Sequence, residues 1–118
     1  QGLDLNEFVS KAHSLGLEVL MECYDEIEAK RAVETKADFF GVNNRDLRTL
    51  KIDLNTTKKV IAVFKELDDR PVISESGVWT KKDTQFVKDC GAKGVLVGTA
   101  LWKSKDQMQT INDLKEVA

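Results

Sequence analysis

This 118-residue chain reads as an α/β fold built from parallel β/α units. Short apolar runs alternate with stretches of helical periodicity along the sequence, the arrangement that folds into a parallel sheet with right-handed crossovers. Two of those runs, Ile73-Ser74-Glu75-Ser76-Gly77 and Leu96-Val97-Gly98-Thr99, stop at small residues that lead toward a helix signal. Neighbouring parallel strands that end this way leave bare backbone N–H groups at one rim, beside the positive ends of helix dipoles. Glu22 and Asn43 stand at equivalent rim positions on earlier strands, so polar groups gather at one end of the fold.

The first helix is expected from Leu5, Phe8, Val9, Ala12 and Leu15 at helical spacing, with Asp4 as N-cap, Glu7 three residues on and Gly16 as the stop. His13 lies near its C-terminal end, where an imidazole is favourable, and is read as structural. Leu17 to Tyr24 reads as a strand. Asp25 caps the next helix with Glu28 at the capping-box position, and Ile27, Ala32 and Val33 form its buried stripe. Asp38 to Asn43 is a strand whose near-continuous apolar run suits burial on both faces. The connection from Asn44 to Ile52 is long and polar for a βα loop, which marks it as functional.

The second half repeats the scheme. Asp53 caps a helix that carries Leu54, Thr57, Val60, Ile61, Phe64 and Leu67 on one face. Arg70-Pro71 breaks it, and Val72 to Glu75 is a strand with the lone proline just before it, where no ladder N–H is needed. Thr80 and Asp83 resemble a capping box, followed by Trp79, Phe86, Val87 and Cys90 as the apolar face and Gly91 as the stop. Gly94 to Gly98 is the last strand. Ser104 with Gln107 opens a final helix carrying Met108, Ile111, Leu114 and Val117. No linker interrupts the series, so residues 1–118 are expected to form a single domain.

Composition narrows the function classes. A net charge of −2 with interspersed signs argues against nucleic acid or an anionic membrane as partner. No apolar stretch approaches the roughly 20 residues of a membrane span, and the segment from Gln1 to Glu7 lacks the basic and apolar regions of a signal peptide. Cys23 and Cys90 are read as reduced, semi-buried residues of a cytoplasmic protein, since two cysteines make no disulfide framework. With one histidine and no Cys/His cluster, neither a metal site nor a metal cofactor is expected.

Two architectures suit the element order: an open doubly wound sheet, or a contiguous piece of a (β/α)8 barrel. The phosphate-type glycines follow the last two strands, where barrels often place that site. A doubly wound nucleotide fold more often has its glycine-rich turn after the first strand, and Glu22-Cys23-Tyr24-Asp25 contains none. The barrel reading is preferred.

The rim residues each have two readings. Glu22 ends an apolar strand, either as a solvated or Arg-paired acid or as an acid/base group with a raised pKa in a semi-dry cavity. Glu75 either pairs with a Lys or Arg or serves the site beside the glycine turn. Asn43 both donates and accepts, which suits a sugar-like hydroxyl, or it forms an Asx turn. Arg45 offers a fork for carboxylate or phosphate, or a salt bridge to Asp46. Ser76, Gly77, Gly98 and Thr99 present N–H groups to a phosphate, or satisfy turn geometry alone.

At these residues the chain resembles the indole-3-glycerol phosphate synthase family. Glu18-Val-Leu-Met-Glu22-Cys-Tyr-Asp25, Gly41-Val-Asn43-Asn-Arg45-Asp-Leu47, Ser74-Glu75-Ser76-Gly77 and Leu96-Val-Gly98-Thr99-Ala-Leu101 are similar to the ends of strands five to eight of that barrel. The N-N-R-D-L and S-E-S-G segments are the specific part, and the resemblance runs from about Leu3 to Val117. It implies the C-terminal half of a TIM (β/α)8 barrel. The implied reaction is ring closure and decarboxylation of 1-(2-carboxyphenylamino)-1-deoxyribulose 5-phosphate to indole-3-glycerol phosphate, a lyase step of tryptophan biosynthesis that uses no cofactor.

On this resemblance Glu22, Asn43 and Glu75 are catalytic, Arg45 and Leu96 contact the substrate, and Ser76, Gly77, Gly98 and Thr99 hold its phosphate. The family's general-acid lysine, and a lysine on the phosphate, lie in the first half of the barrel. That half is therefore the missing partner, and the chain alone is expected to be inactive. Alternatives from other classes are a non-catalytic phosphate-binding half-barrel and another phosphosugar enzyme such as phosphoribosylanthranilate isomerase. Half a barrel also exposes two strand edges and an inner apolar face, expected to include Phe39, Phe40, Val72, Ile73 and Leu96, so the isolated chain is expected to self-associate.

Overall fold

The computed structural model describes residues 4–116. The elements run α1 (Leu5–Ser14), β1 (Leu20–Cys23), α2 (Glu26–Ala32), β2 (Phe39–Asn43), α3 (Asn55–Leu67), β3 (Val72–Glu75), α4 (Lys81–Cys90), β4 (Gly94–Leu96), α5 (Thr99–Trp102) and α6 (Gln107–Lys115). The strands form one parallel sheet in the order β1-β2-β3-β4. Among the described residues no helix is long and apolar enough to cross a membrane.

Local signals place most elements where the sequence puts them. Asp4, Asp25 and Thr80 cap α1, α2 and α4 through their side chains, and Thr80 and Asp83 close a full capping box. Gly91 ends α4 at φ 116°, a left-handed conformation that glycine adopts without a Cβ penalty. Asp53 acts one position early. Leu54 is the N-cap of α3, while the Asp53 carboxylate accepts from Asn55 N–H at 2.9 Å.

Side chains alternate across the sheet. Met21, Cys23, Phe40, Val42, Val72 and Val95 face the helices and join Ala29, Val60, Ile61, Phe64 and Val87 in one core. Phe40 stacks on Phe64 at 4.4 Å, and the Arg70 guanidinium lies over the same Phe40 ring at 4.4 Å. Phe40 and Val72 are thus buried beneath the helix layer and are not part of the open inner face. The apolar residues that share a face with Glu22 and Glu75 are Leu20, Phe39, Ile73 and Leu96, as the pairing register requires.

Other departures follow from packing. β1 starts at Leu20, not Leu17, because its partner β2 begins only at Phe39; β4 stops at Leu96 because β3 stops at Glu75. In α2 the buried positions are Ala29 and Ala32, with Val33 half-buried at the C-cap and Ile27 turned to solvent. Phe8, Leu15, Leu67, Trp79 and Met108 are also exposed, leaving Val9, Phe64, Val87 and Leu114 as the buried anchors of their helices. Ser104 does not open the last helix. Asp106 caps α6 by accepting from Gln109 N–H, Ser104 pairs with Thr110, and the unforeseen short helix α5 fills the space after Gly98. Val117 lies outside the described residues.

Candidate active site at the rim of the sheet

The C-terminal ends of the strands carry a continuous polar chain. Ser76 Oγ, just past β3, donates to Asn43 Oδ1 at 2.9 Å, and Asn43 Nδ2 at the end of β2 donates to Glu22 Oε1 on β1 at 2.9 Å. Arg45 N–H also donates to Asn43 Oδ1, at 3.0 Å. Two donors on Oδ1 leave the amide one orientation, with its NH2 toward Glu22. Asn43 forms the Asx-type contact and bridges neighbouring strands at once.

Glu75 sits in register with Asn43 and Leu96, and is 5% exposed. Burial, then the charge of Glu22 and a hydrogen bond with it, push the Glu75 carboxyl up to about 7. Its Oε2 has no hydrogen-bond partner among the described residues. Cys23, one residue past Glu22 and on the opposite face, is driven to about 12 by burial and the surrounding carboxylates, so its thiol is inert at neutral pH.

A cleft of about 420 Å³ gathers seven of the residues singled out in the sequence: Arg45, Glu75, Ser76, Gly77, Leu96, Gly98 and Thr99. Glu22 and Asn43 line an adjoining hollow of about 440 Å³ together with Tyr24 and Asp46. Arg45 does not pair with Asp46. That carboxylate instead accepts from Tyr24 Oη at 2.9 Å and from Arg48, which pins the loop after β2 and leaves Arg45 on the cleft. Ser76 at φ 69° and Gly77 at φ 82° turn the chain sharply after β3. Among the described residues, the N–H groups of Ser76, Gly77, Gly98 and Thr99 donate to no backbone acceptor.

Three contributors are not apparent from the sequence pattern. Trp79 adds an aromatic wall to the cleft. Gly41 leaves room for the Glu75 carboxyl, which a Cβ there would strike. Asn44, 1% exposed, is a buried hub: its Nδ2 donates to Ser74 Oγ at 2.9 Å and to the Glu75 and Ser76 carbonyls at 3.0 Å, while its Oδ1 accepts from Thr57 Oγ1 at 2.8 Å. A second adjacent Asn in a polar loop was the available signal. Among the described residues no cluster of His, Cys, Asp or Glu is placed to hold a metal ion.

Known proteins resemble this chain over nearly all of its length. The chain is similar to the indole-3-glycerol phosphate synthases of Acetivibrio thermocellus (37% identity over 114 residues, 97% of this chain and 43% of the relative) and Lactococcus lactis subsp. cremoris (40% over 111 residues, 94% and 41%). That of Aquifex aeolicus is 37% identical over 111 residues, again 94% of this chain and 43% of the relative. The chain therefore spans less than half the length of these relatives. Among solved structures, thiamine phosphate pyrophosphorylase from Pyrococcus furiosus superposes with a TM-score of 0.74 at 20% identity, over 96% of this chain and 53% of that one. N-acetylmannosamine-6-phosphate 2-epimerase from Clostridium perfringens superposes at 0.63 and 18% identity, over 94% and 47%; these two likenesses speak to the fold alone. The indole-3-glycerol phosphate synthase family profile matches residues 2–114, and the chain belongs to that family, whose fold is a TIM barrel of which it covers only part.

Proposed function

We propose that the chain is the C-terminal half of an indole-3-glycerol phosphate synthase, residues 1–118 forming one partial-barrel domain. It would contribute the phosphate-binding end and the carboxylates to ring closure of 1-(2-carboxyphenylamino)-1-deoxyribulose 5-phosphate. The observation that carries this reading is the convergence of Glu22, Asn43, Glu75 and Arg45 with two bare-backbone turns at one rim. The free thiols of Cys23 and Cys90 suit a reducing cytoplasmic setting.

The chemistry assigns roles. The substrate carbonyl must be protonated as the aromatic ring attacks it, CO2 then leaves to restore aromaticity, and loss of water completes the indole. Glu22, exposed and held by Asn43, is the candidate base, while Asn43 and Glu75 engage the sugar-derived hydroxyls. Backbone N–H groups of Ser76, Gly77, Gly98 and Thr99 bind the phosphate, with Arg45 at the cleft wall. Leu96 and Trp79 form the apolar slot for the anthranilate ring. The general acid would come from the other half of the barrel, so the chain alone would not turn over.

The inner apolar residues and the edges β1 and β4 would be covered by that other half or, in its absence, by a second copy of the chain. Light scattering on the isolated chain is expected to give a dimer or larger species, and a compact 13.2 kDa monomer at every concentration would overturn this.

The functional test is complementation. The chain is mixed with the separately produced N-terminal half of the Aquifex aeolicus relative, and product is followed by indole fluorescence. Activity in the mixture, none in either part, and loss on Glu22→Gln support the proposal. Full-barrel rates from the 118 residues alone, or a silent mixture where the relative's own two halves are active, refute it.

A further inference from the structure

The carboxyl of Glu75 lies across β2 where a side chain at residue 41 would otherwise stand. A Cβ on Gly41 would collide with Glu75 Oε2 and come within 2.9 Å of the carboxyl carbon. Glu22 on β1 is in register with the same glycine from the other side, so the two acids converge on one position of the same sheet face. Oε2 of Glu75 is buried and has no partner among the described residues. An ionised oxygen there would be both desolvated and repelled by a neighbouring carboxylate. One proton removes both penalties.

The position of that proton follows from Asn43. Its Oδ1 is occupied by Ser76 Oγ and Arg45 N–H, so its NH2 must donate to Glu22 Oε1. Glu22 Oε1 is thereby an acceptor, and Glu75, the drier of the two, is the one where a proton removes more of the cost and takes the donor role. Around Glu75 stand Arg45, Ser76 and apolar Leu96, and around Glu22 stand Asn43, Tyr24, Asp25, Glu28, Asp46, Arg31 and Arg48; Cys23 lies on the opposite face. Arg45 is the one cation among the residues that line the cleft.

We propose that Glu22 and Glu75 hold a single proton between them across Gly41, with Glu75 as donor and Glu22 as acceptor, and that the glycine is what allows the pair to form. Taken with the site reading above, on which this inference rests, Glu75 then presents an O–H to a substrate oxygen rather than a lone pair, and Gly41 is a positioning residue for the reaction. The elevated titration of Glu75 near 7 is the expected signature.

The test is a 13C NMR titration of the glutamate side-chain carboxyls in the 118-residue chain, without substrate. Wild type should show one glutamate with a midpoint near 7. Glu22→Gln removes the neighbouring charge and should lower that midpoint by roughly one unit or more, while Gly41→Ala should push the carboxyl out of its slot and return it to the ordinary range. If Gly41→Ala does not fold, Glu22→Gln decides the matter, since Glu22 is exposed. The proposal is overturned if every glutamate of the folded wild type titrates in the ordinary range, or if Glu22→Gln leaves the high midpoint in place. Because no turnover is involved, a chain that fails complementation can still show the shared proton, and the two proposals fail separately.

Discussion

Replacing Asn44 by alanine tests how the rim is held in place. The side chain is 1% exposed and its amide serves strand β3, the turn after it and helix α3 at once. The consequences of Asn44→Ala differ from partner to partner. The Ser76 carbonyl loses its only donor among the described residues, about 1 kcal/mol for a half-buried acceptor that water still partly reaches. The Glu75 carbonyl still accepts from Asn44 N–H at 2.8 Å, Thr57 N–H still reaches Leu54 O at 3.1 Å, and the Thr57 and Ser74 hydroxyls keep each other at 2.7 Å. Each of those groups loses one bond of two, about 0.5–1 kcal/mol apiece. The sum is about 3–5 kcal/mol, a large share of the roughly 5–15 kcal/mol of a small domain. Thr57→Val removes one hydroxyl whose neighbours remain bonded and should cost only about 1 kcal/mol. Urea unfolding followed by circular dichroism, at one fixed protein concentration, gives both values. Should Asn44→Ala cost no more than Thr57→Val, the buried hub is not what holds the turn.

Inorganic phosphate or sulfate should occupy the rim between Gly77 and Gly98, and Gly77→Ala should abolish it, since residue 77 has φ 82° and packs against Ile52. A phosphate-soaked crystal with that rim empty and anions bound elsewhere would refute the assignment. Arg70→Lys should destabilise the opposite end of the sheet by about 2–4 kcal/mol, because the guanidinium donates to the carbonyls of Val33, Thr35 and Ala37 as well as to Asp68. A change within 0.5 kcal/mol, roughly the scatter for surface substitutions, would count against the clamp. Asp38 is held below its ordinary value by hydrogen bonds from His13 and then Val19 N–H. Its contribution is therefore present above the unfolded value and lost as pH falls through the folded one. The urea midpoint of Asp38→Asn should accordingly fall less steeply in acid than that of wild type, and parallel curves would exclude the effect.

The fold was legible wherever cap chemistry and periodicity agreed. Thr80 with Asp83, Gly91, and the strand from Val72 to Glu75 all stand where their local signals put them. Strand length was less legible at the sheet's edges, because a strand extends only as far as its neighbour offers partners. Leu17 and Gly98 end the apolar runs read as strands but pair with no residue of β2 or β3. Face assignment failed at Phe40 and Val72 for a related reason. A strand such as Phe39–Asn43, apolar on both sides, carries no period-2 contrast to show which face the helices cover. The register supplies that contrast, because it puts Phe40 against Phe64 and Arg70, and Phe39 on the side of Glu22.

The site divides along the same line. Glu22, Asn43, Glu75 and the glycine turns were visible because a polar or small residue at the end of an apolar strand has few structural reasons to be there. Gly41 and Asn44 lie in the segment that carries the resemblance, but nothing in their own chemistry showed what they do there. In sequence, Gly41 looks like a weak point within a strand and Asn44 like the first polar residue of a loop. Their significance depends on partners more than 30 positions away: the Glu75 carboxyl over one, and the Glu75 and Ser76 carbonyls beside the other. Residues that present chemistry are marked by their own side chains, whereas residues that make room for that chemistry are marked only by the neighbours they admit. A substitution at Gly41 would therefore leave every polar side chain of the rim in the sequence and still displace the carboxyl on which the rim's proton balance depends.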